Sequence, residues 1–233
     1  MMMQIGSKNW KNVINDGAKD LEIQIDQGKI DQFAIHAVEL LKWTQKINLT
    51  AISDPLEIAV KHFLDSIAPA PMIPPHATLL DVGSGGGFPG IPLKIMIPSL
   101  SVTLIDASRK KISFLKHLIR MLGLHNIEAD HVRAEDLSKD GVLMNAYDVI
   151  ISRALSSLVN FFQMSLPLLS KDGRIIAMKG KISLQIIEAA LSLVKGRSDV
   201  GENNISHVNI MLKKYRLPYL NSERSIVILK STH

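Results

Sequence analysis

Strand-like and helix-like runs alternate from residue 77 onward, and this alternation constrains the fold more than any other feature. Five short apolar runs have the pattern of strands and occupy 77–83, 101–107, 127–134, 147–154 and 173–180. Four runs with helical patterning lie between or after them, at about 89–97, 109–122, 157–169 and 182–195. Such an alternation predicts a parallel sheet that carries helices on both faces.

Two more strand-like runs close the chain, at 208–217 and 225–231. Only a short connection separates them, so they should form an antiparallel hairpin at one edge of the sheet. The predicted fold class is therefore α/β. It is a doubly wound, mostly parallel, seven-stranded sheet that ends in an antiparallel C-terminal hairpin.

The chain before the first strand is predicted to be helical. Apolar residues recur at helical spacing from Ile30 to Ile47. Asp54 is a predicted N-cap for a second helix, which has Pro55 at its first position and runs to about Ala68.

Four prolines between residues 69 and 76 predict a connector after these helices. The length of 233 residues fits one large domain, or one domain with a small extension. The predicted division is thus an N-terminal helical extension at 1–76 and a sheet domain at 77–233.

Composition narrows the classes of function. The chain has no cysteine, which excludes disulfides, thiolate metal sites and cysteine nucleophiles, and no metal site is predicted. It lacks a signal-peptide pattern and the roughly eighteen consecutive apolar residues that a membrane helix needs. A cytoplasmic protein without a membrane span is therefore predicted. The net charge of +5 is compatible with a nucleic-acid partner but does not establish one.

The stretch "LLDVGSGGGFPGIPL" places a glycine-rich loop between the first strand and the following helix. Gly85 to Gly90 match the dinucleotide pattern G-x-G-x-x-G, but the strand ends near Val82, so the turn must begin at Gly83. In that second frame Asp81 directly precedes the glycines. A carboxylate there would repel a pyrophosphate and would suit a cofactor with a cationic amino group, such as S-adenosylmethionine.

Asp106 closes the second predicted strand, where a carboxylate can accept hydrogen bonds from both ribose hydroxyls of a nucleoside cofactor. NAD and S-adenosylmethionine share that ribose, so Asp106 does not choose between them, and it could instead cap the next helix. Ala134 and Glu135 follow the third strand, where the adenine would lie. Glu135 could equally be an ordinary loop carboxylate.

Arg153 and Lys179 end the fourth and fifth predicted strands, at the edge where ligands of doubly wound sheets collect. Arg153 is a candidate for orienting cofactor or substrate, and Lys179 for contacting phosphate. Either could instead be a surface charge.

If the loop binds S-adenosylmethionine, the residue types present limit which atom could be methylated. Without cysteine, methylation of pyrimidine C5 is nearly excluded. Residues 151–154 lack the Asn/Asp-Pro-Pro-aromatic segment typical of amino-group methylation. A ring nitrogen such as guanine N7 needs neither device, because its lone pair attacks without losing a proton.

The segment "SRKKISFLKHLIRM" combines a buried apolar stripe with several basic side chains. These are Arg109, Lys110, Lys111, Lys116, His117 and Arg120. They form either a solvated basic face or a surface that contacts phosphate.

Five stretches resemble the bacterial 16S ribosomal RNA guanine-N7 methyltransferases, also called the glucose-inhibited division protein B family. They are "KINLTAISDPLEIAVKHFLDSI", "LLDVGSGGGFPGIPL", "TLIDASRKKISFL", "IISRAL" and "AMKGK". The resemblance spans about residues 30 to 230. The family often has Gly-Thr-Gly-Pro-Gly in the loop and arginine at the position of Lys61, so this chain departs from it modestly.

The resemblance implies a Rossmann-like class I methyltransferase that uses S-adenosylmethionine to modify N7 of one guanine in a loop of 16S ribosomal RNA. The expected partner is that RNA, free or within the 30S subunit or its precursor, and the expected oligomeric state is a monomer. The cofactor residues that the resemblance implies are Gly83, Phe88, Asp106, Ala134, Glu135 and Arg153, to which the loop frame adds Gly85. From their places at the strand ends, the predicted catalytic residues are Arg153 and Lys179. Two alternatives stay open: an NAD-linked oxidoreductase on the same fold, and an RNA-binding protein without catalysis.

Overall fold

The computed structural model describes residues 3–133, 136–137, 145–153, 157–198 and 208–231. The helices are α1 (Lys8–Asp20), α2 (Gln27–Thr44), α3 (55–67), α4 (Gly90–Met96), α5 (Arg109–Met121), α6 (Leu158–Ser165) and α7 (Leu184–Ser198). The strands are β1 (Thr78–Val82), β2 (Ser101–Asp106), β3 (Ile127–His131), β4 (Tyr147–Ser152), β5 (Leu169–Lys179), β6 (Val208–Arg216) and β7 (Glu223–Ser231). Short 3₁₀ turns occupy Ala70–Met72 and Leu166–Leu168.

The described strands form one sheet in the order β3-β2-β1-β4-β5-β7-β6. The first five strands are parallel; Leu80 of β1, for example, pairs with Thr103 of β2 and Ile150 of β4. β7 lies antiparallel between β5 and β6. The predicted fold class is therefore confirmed, including the antiparallel C-terminal hairpin, whose second strand joins the parallel part of the sheet.

Two boundaries differ from the prediction by four residues, more than the others do. α6 ends at Ser165 rather than near 169, and β5 begins at Leu169 rather than at 173. Leu169 is buried and pairs with Tyr147 of β4, after which the register between the two strands shifts. The polar residues that follow Leu169 look like a turn in the sequence, yet they lie in this irregular part of the strand.

Alternate side chains of the sheet enter two separate cores. Leu79 of β1 lies in a cluster with Trp10 and Phe33 of the first two helices, which also includes residues of α3, α4 and α5. Leu80 lies in the other cluster, with Phe161 of α6 and Ile187 of α7. The N-terminal helices thus share a core with one face of the sheet. The division between 1–76 and 77–233 stays a prediction.

α3 contains a π-helical segment that the sequence pattern does not reveal. It starts as predicted, with the Asp54 side chain accepting a hydrogen bond from the backbone N–H of Glu57 at 2.8 Å. Ile58–Leu64 then adopt π-helical geometry, and Asp65–Ile67 return to the α-helix. Segments of this kind are rare and recur at functional sites.

We expect Gly17→Ala to destabilise the protein by roughly 1–3 kcal/mol through overpacking. Gly17 of α1 faces α3, and a Cβ there would overlap Cδ1 of the fully buried Leu64. The matched control is Gly28→Ala in α2, where the Cβ would approach only the exposed Asp26 side chain, at 3.3 Å. Denaturant unfolding of both variants measures the difference. Equal losses would contradict the close contact between α1 and α3.

Candidate active site

The glycine loop joins the end of β1 to the start of α4. Gly83, Gly85 and Gly87 adopt positive φ angles of 73°, 55° and 89°, a region that side chains disfavour. The turn therefore begins at Gly83, directly after Val82, as the second reading of the motif predicts. Pro89 lies at the N-cap position of α4, one residue before the helix begins.

One half of the loop is open and the other half is packed. A Cβ added at Gly83 would meet no atom within 4 Å, and one at Gly85 would meet only the loop's own backbone. A Cβ at Gly86 would lie 2.8 Å from Leu40 of α2, and one at Gly87 2.8 Å from Ile91 of α4. The backbone around Gly83 and Gly85 is thus the part that a ligand can approach closely.

Asp81 lies inside the turn rather than facing a ligand. Its side chain is fully buried, and Oδ2 accepts a hydrogen bond from the backbone N–H of Gly90 at 2.9 Å. Burial raises its pKa to about 7. The expectation that this carboxylate meets a cationic amino group is therefore wrong. Because Gly90 has no side chain, the start of α4 lies close enough for its backbone N–H to bind the carboxylate.

Asp106 lies at the end of β2, beside the open half of the loop. Its Oδ2 accepts from the backbone N–H of Gly85 at 3.1 Å, and its Oδ1 accepts from that of Ser108 at 2.8 Å. Lys111 Nζ is 3.8 Å from Oδ2. Each carboxylate oxygen keeps a second lone pair, so the group fits a ribose diol while it also fixes the loop.

Phe88 is stacked between two histidine rings. The ring of His36 lies 4.5 Å from it at an interplanar angle of 8°, and the ring of His62 lies 4.7 Å away at 12°. Both faces of Phe88 are thus covered by protein, and the side chain is buried. Any contact of Phe88 with a cofactor falls to the ring edge, so its predicted role as a pocket wall shifts towards support of the loop.

His36 connects α2 to the glycine loop and was missed in the sequence. Its Nε2 donates to the backbone carbonyl of Gly86 at 2.7 Å. The side chain is fully buried, and this burial lowers its pKa to about 3. The available signal was its position among apolar residues: Phe33, Ala37 and Leu40 form the same buried stripe of α2.

His62 plays the matching part from α3. Its Nδ1 accepts from Nη2 of Arg153 at 3.4 Å, so Nε2 carries the proton and donates to Thr50 Oγ1 at 2.8 Å. Burial, followed by the charge of Arg153, lowers the pKa of His62 to about 3. Both histidines are therefore neutral at physiological pH.

Arg153 follows β4 and turns towards α3. Its Nη1 donates to the backbone carbonyl of Lys61 at 2.9 Å and to Ser66 Oγ at 3.3 Å. The centre of its guanidinium lies 5.0 Å from the centroid of the Phe88 ring, a cation–π distance. Arg153 thus links the sheet edge, the N-terminal helices and the loop.

Asp65 is the buried anion of this region, with 1% of its surface exposed. Arg224 of β7 binds it with two hydrogen bonds, at 2.9 Å to Oδ1 and 2.6 Å to Oδ2. Tyr215 of β6 donates to Oδ1 at 2.6 Å, and Arg153 lies 3.7 Å from Oδ2. This Asp65 cluster pins α3 to three strands, whereas Asn48, from the same sequence motif, is exposed.

The remaining predicted site residues fall into two groups. Lys179 ends β5 at the same edge of the sheet, half-buried, and burial lowers its pKa. Ala134 and Glu135 lie outside the described residues.

Within the described ranges, no group of three or more acidic or histidine side chains could hold a metal ion, and no helix is long and apolar enough to cross a membrane.

Comparison with known proteins gives a consistent result. Residues 29–204 match the sequence profile of a family described as rRNA small subunit methyltransferase G. Ribosomal RNA small subunit methyltransferase G of Geotalea uraniireducens is 43% identical over 220 residues, which cover 94% of this chain and 96% of that protein. The protein of the same name from Thermoanaerobacter sp. is 37% identical over 218 residues, 92% of this chain and 87% of that one.

Solved structures agree on the fold. A SAM-dependent methyltransferase from Aquifex aeolicus aligns with a TM-score of 0.56 at 16% identity, over 84% of this chain and 98% of that one. A ribosomal protein L11 methylase from Lactobacillus delbrueckii aligns with a TM-score of 0.53 at 19% identity, over 74% and 79% of the two chains. At such identities the likeness concerns the fold alone.

The buried groups at the loop make stability depend on pH in opposite directions. The folded-state pKa of His36 is about 3, below the unfolded value of 6.5, so its contribution is present above 6.5 and is lost as the pH falls below that value. The folded-state pKa of Asp81 is about 7, above the unfolded value of 3.8. Its contribution is present at low pH and is lost as the pH rises towards 7.

We expect two variants to change this pH dependence with opposite signs. When the pH falls from 7.5 to 5.5, the free energy of unfolding of His36→Gln should decrease by about 1 kcal/mol less than that of the wild type. That of Asp81→Asn should decrease by about 1 kcal/mol more than that of the wild type. Urea unfolding at both pH values measures the change within each variant, which separates it from any constant loss. A shift of the same sign in both variants would refute these protonation states.

Proposed function

This chain belongs to the rRNA small subunit methyltransferase G family, and on that premise we propose that it transfers a methyl group from S-adenosylmethionine to N7 of a guanine in a loop of 16S ribosomal RNA. The methyltransferase activity and the cofactor follow from family membership, as the sequence motifs predict. The oxidoreductase and the non-catalytic RNA-binding protein are set aside. The match over 94% of the chain carries this conclusion.

The residues at the loop fit the cofactor. Gly83 and Gly85 leave their backbone open to close approach, and Asp106 places carboxylate oxygens beside them for the ribose hydroxyls. When bound, S-adenosylmethionine supplies a methyl group on a sulfonium, which a nucleophile can take up in one displacement. We assign Gly83, Gly85 and Asp106 to cofactor binding, and Phe88 to fixing the loop against the rings of His36 and His62.

The protonation states of the two histidines at the site suit a nucleophile that needs no general base. His36 and His62 are neutral, with pKa values lowered to about 3 by burial, and each already uses its Nε2 proton in a hydrogen bond. Guanine N7 attacks through a lone pair and loses no proton. The protein's contribution is then positioning, by holding the base in line with the methyl–sulfur bond.

Arg153 and Lys179 are the cations placed to position the RNA. Arg153 is held by Asp65 and by the carbonyl of Lys61, so its guanidinium has a fixed place beside the loop. We propose that Arg153 orients the substrate or cofactor and that Lys179 contacts a phosphate. Because N7 must stay free to attack, cations here should meet O6 or phosphate rather than N7.

The setting of the reaction is a further part of the proposal. We infer a monomer that acts in the cytoplasm, where 16S ribosomal RNA is available free or in the 30S subunit and its precursor. Wild-type methylation rates on free 16S RNA and on 30S particles, measured side by side, identify the substrate form. Light scattering during gel filtration gives the oligomeric state.

The methylated atom can be tested by removing it. A 16S transcript made with 7-deazaguanosine lacks N7 at every guanine and keeps the other base edges. We expect methyl transfer from labelled S-adenosylmethionine to the ordinary transcript and none to the 7-deaza transcript. Mass mapping then locates the modified nucleotide. Equal labelling of the two transcripts would show that another atom is methylated.

Gly83→Val should weaken S-adenosylmethionine binding by more than about tenfold, because its side chain would enter the space that the cofactor needs. Gly123→Val is the matched control. Gly123 also has a positive φ, of 60°, and open space around its Cβ position, but it lies after the C-terminal end of α5, whereas the cofactor edge is at the N-terminal end of that helix. Calorimetric titration compares cofactor affinity in the two variants. A similar affinity in both folded variants would refute the assignment of Gly83.

A further inference from the structure

The outer face of α5 carries only one sign of charge. Its thirteen residues, Arg109–Met121, include no aspartate or glutamate. The buried side of the helix consists of Ile112, Phe114, Leu115 and Leu118. The exposed basic side chains therefore share the opposite side. Since the proposed methylation does not use this face, its role is open.

Three of these cations lie in one line. Arg109, Lys116 and Arg120 are spaced by seven and four residues, which at 3.6 residues per turn keeps them within about 40° of one another around the helix axis. At 1.5 Å per residue the line is roughly 16 Å long. All three are exposed. We call these three residues the cationic stripe.

Two basic residues beside the stripe are paired within the protein, whereas the stripe is not. Lys111 lies 3.8 Å from the carboxylate of Asp106, and His117 is hydrogen-bonded to Glu39 at 2.8 Å. None of Arg109, Lys116 and Arg120 forms an ion pair with any residue that the structure describes. The three charges of the cationic stripe are therefore available to an external anion.

The start of α5 also breaks a local electrostatic rule. The N-terminal end of a helix carries a partial positive charge and normally attracts acidic residues. Here Arg109, Lys110 and Lys111 occupy the first turn and no acidic residue does. This end of the helix begins three residues after Asp106, at the cofactor edge of the sheet. Asp106 offsets the charge of Lys111, and a bound polyanion would offset that of Arg109 and Lys110.

We propose that the cationic stripe of α5 binds phosphates of the substrate RNA and guides the strand towards the cofactor edge. This inference rests on the proposed RNA methylation. Phosphate contacts position a nucleic acid without reading its bases. They suit this enzyme, because cations directed at phosphates leave guanine N7 unoccupied.

The test neutralises the stripe with Arg109→Gln, Lys116→Gln and Arg120→Gln in one protein. The matched control carries Lys171→Gln, Lys213→Gln and Lys230→Gln, three exposed lysines on β5, β6 and β7 at the opposite end of the sheet. Filter binding of an unmodified 16S transcript at several salt concentrations gives RNA affinity and its salt dependence. Calorimetry gives the affinity for S-adenosylmethionine.

The stripe variant should bind RNA roughly tenfold or more weakly, and its slope of log affinity against log salt should shrink by about 2, from three contacts at about 0.7 each. The control should match the wild type, and cofactor affinity should be unchanged in both. Wild-type RNA affinity in the stripe variant, or an equal loss in the control, would overturn the proposal. RNA binding needs no turnover, so the separate labelling of the 7-deaza transcript reports on the proposed reaction alone.

Discussion

The stacking of Phe88 between His36 and His62 holds the cofactor loop and the N-terminal helices together. Each imidazole comes from a different helix, α2 or α3, and each lies within 5 Å of the same ring. His36 also donates a hydrogen bond to the backbone carbonyl of Gly86, so the loop is fixed both through the side chain of Phe88 and through its own backbone. A glycine-rich segment has much freedom to lose, and these contacts restrict it before any ligand arrives.

The charged side chains near the loop are arranged around one buried carboxylate, that of Asp65. Asp65 gathers Arg224, Arg153 and Tyr215, so that a deeply buried carboxylate has partners on every side. Burial of such a charge is tolerable only with this degree of pairing. The consequence for the site is rigidity. Arg153 reaches the loop with its guanidinium already oriented, whereas the three residues of the cationic stripe are exposed to solvent.

The sequence predicts the parts of this architecture that depend on local patterns. The alternation of elements, the cap at Asp54 and the turn at Gly83 followed from spacing and from residue type, and all three agree with the structure. The position of Asp106 beside the loop also follows, because parallel strands end at the same edge.

Contacts between distant residues could not be predicted in the same way. His36 and Gly86 are 50 positions apart, and no local pattern links them. Asp81 was expected to face a ligand because its neighbours in sequence are glycines. Its actual partner, the N–H of Gly90, depends on how closely α4 packs against the strand. The π-helical segment of α3 likewise has no local pattern that predicts it.

The pairing of Asp65 with Arg224 has a consequence for biosynthesis. The two residues are 159 positions apart, and β7, which carries Arg224, ends at Ser231. As the chain leaves the ribosome, α3 is complete long before its arginine partner exists. Until then Asp65 has Arg153 nearby, at 3.7 Å, but lacks its two hydrogen bonds to Arg224, and removing one partner of a buried charge costs about 3–5 kcal/mol. The contact of α3 with the antiparallel edge of the sheet is therefore completed only when β7 has been made, whereas the contacts of His36 and His62 with the loop involve residues made much earlier.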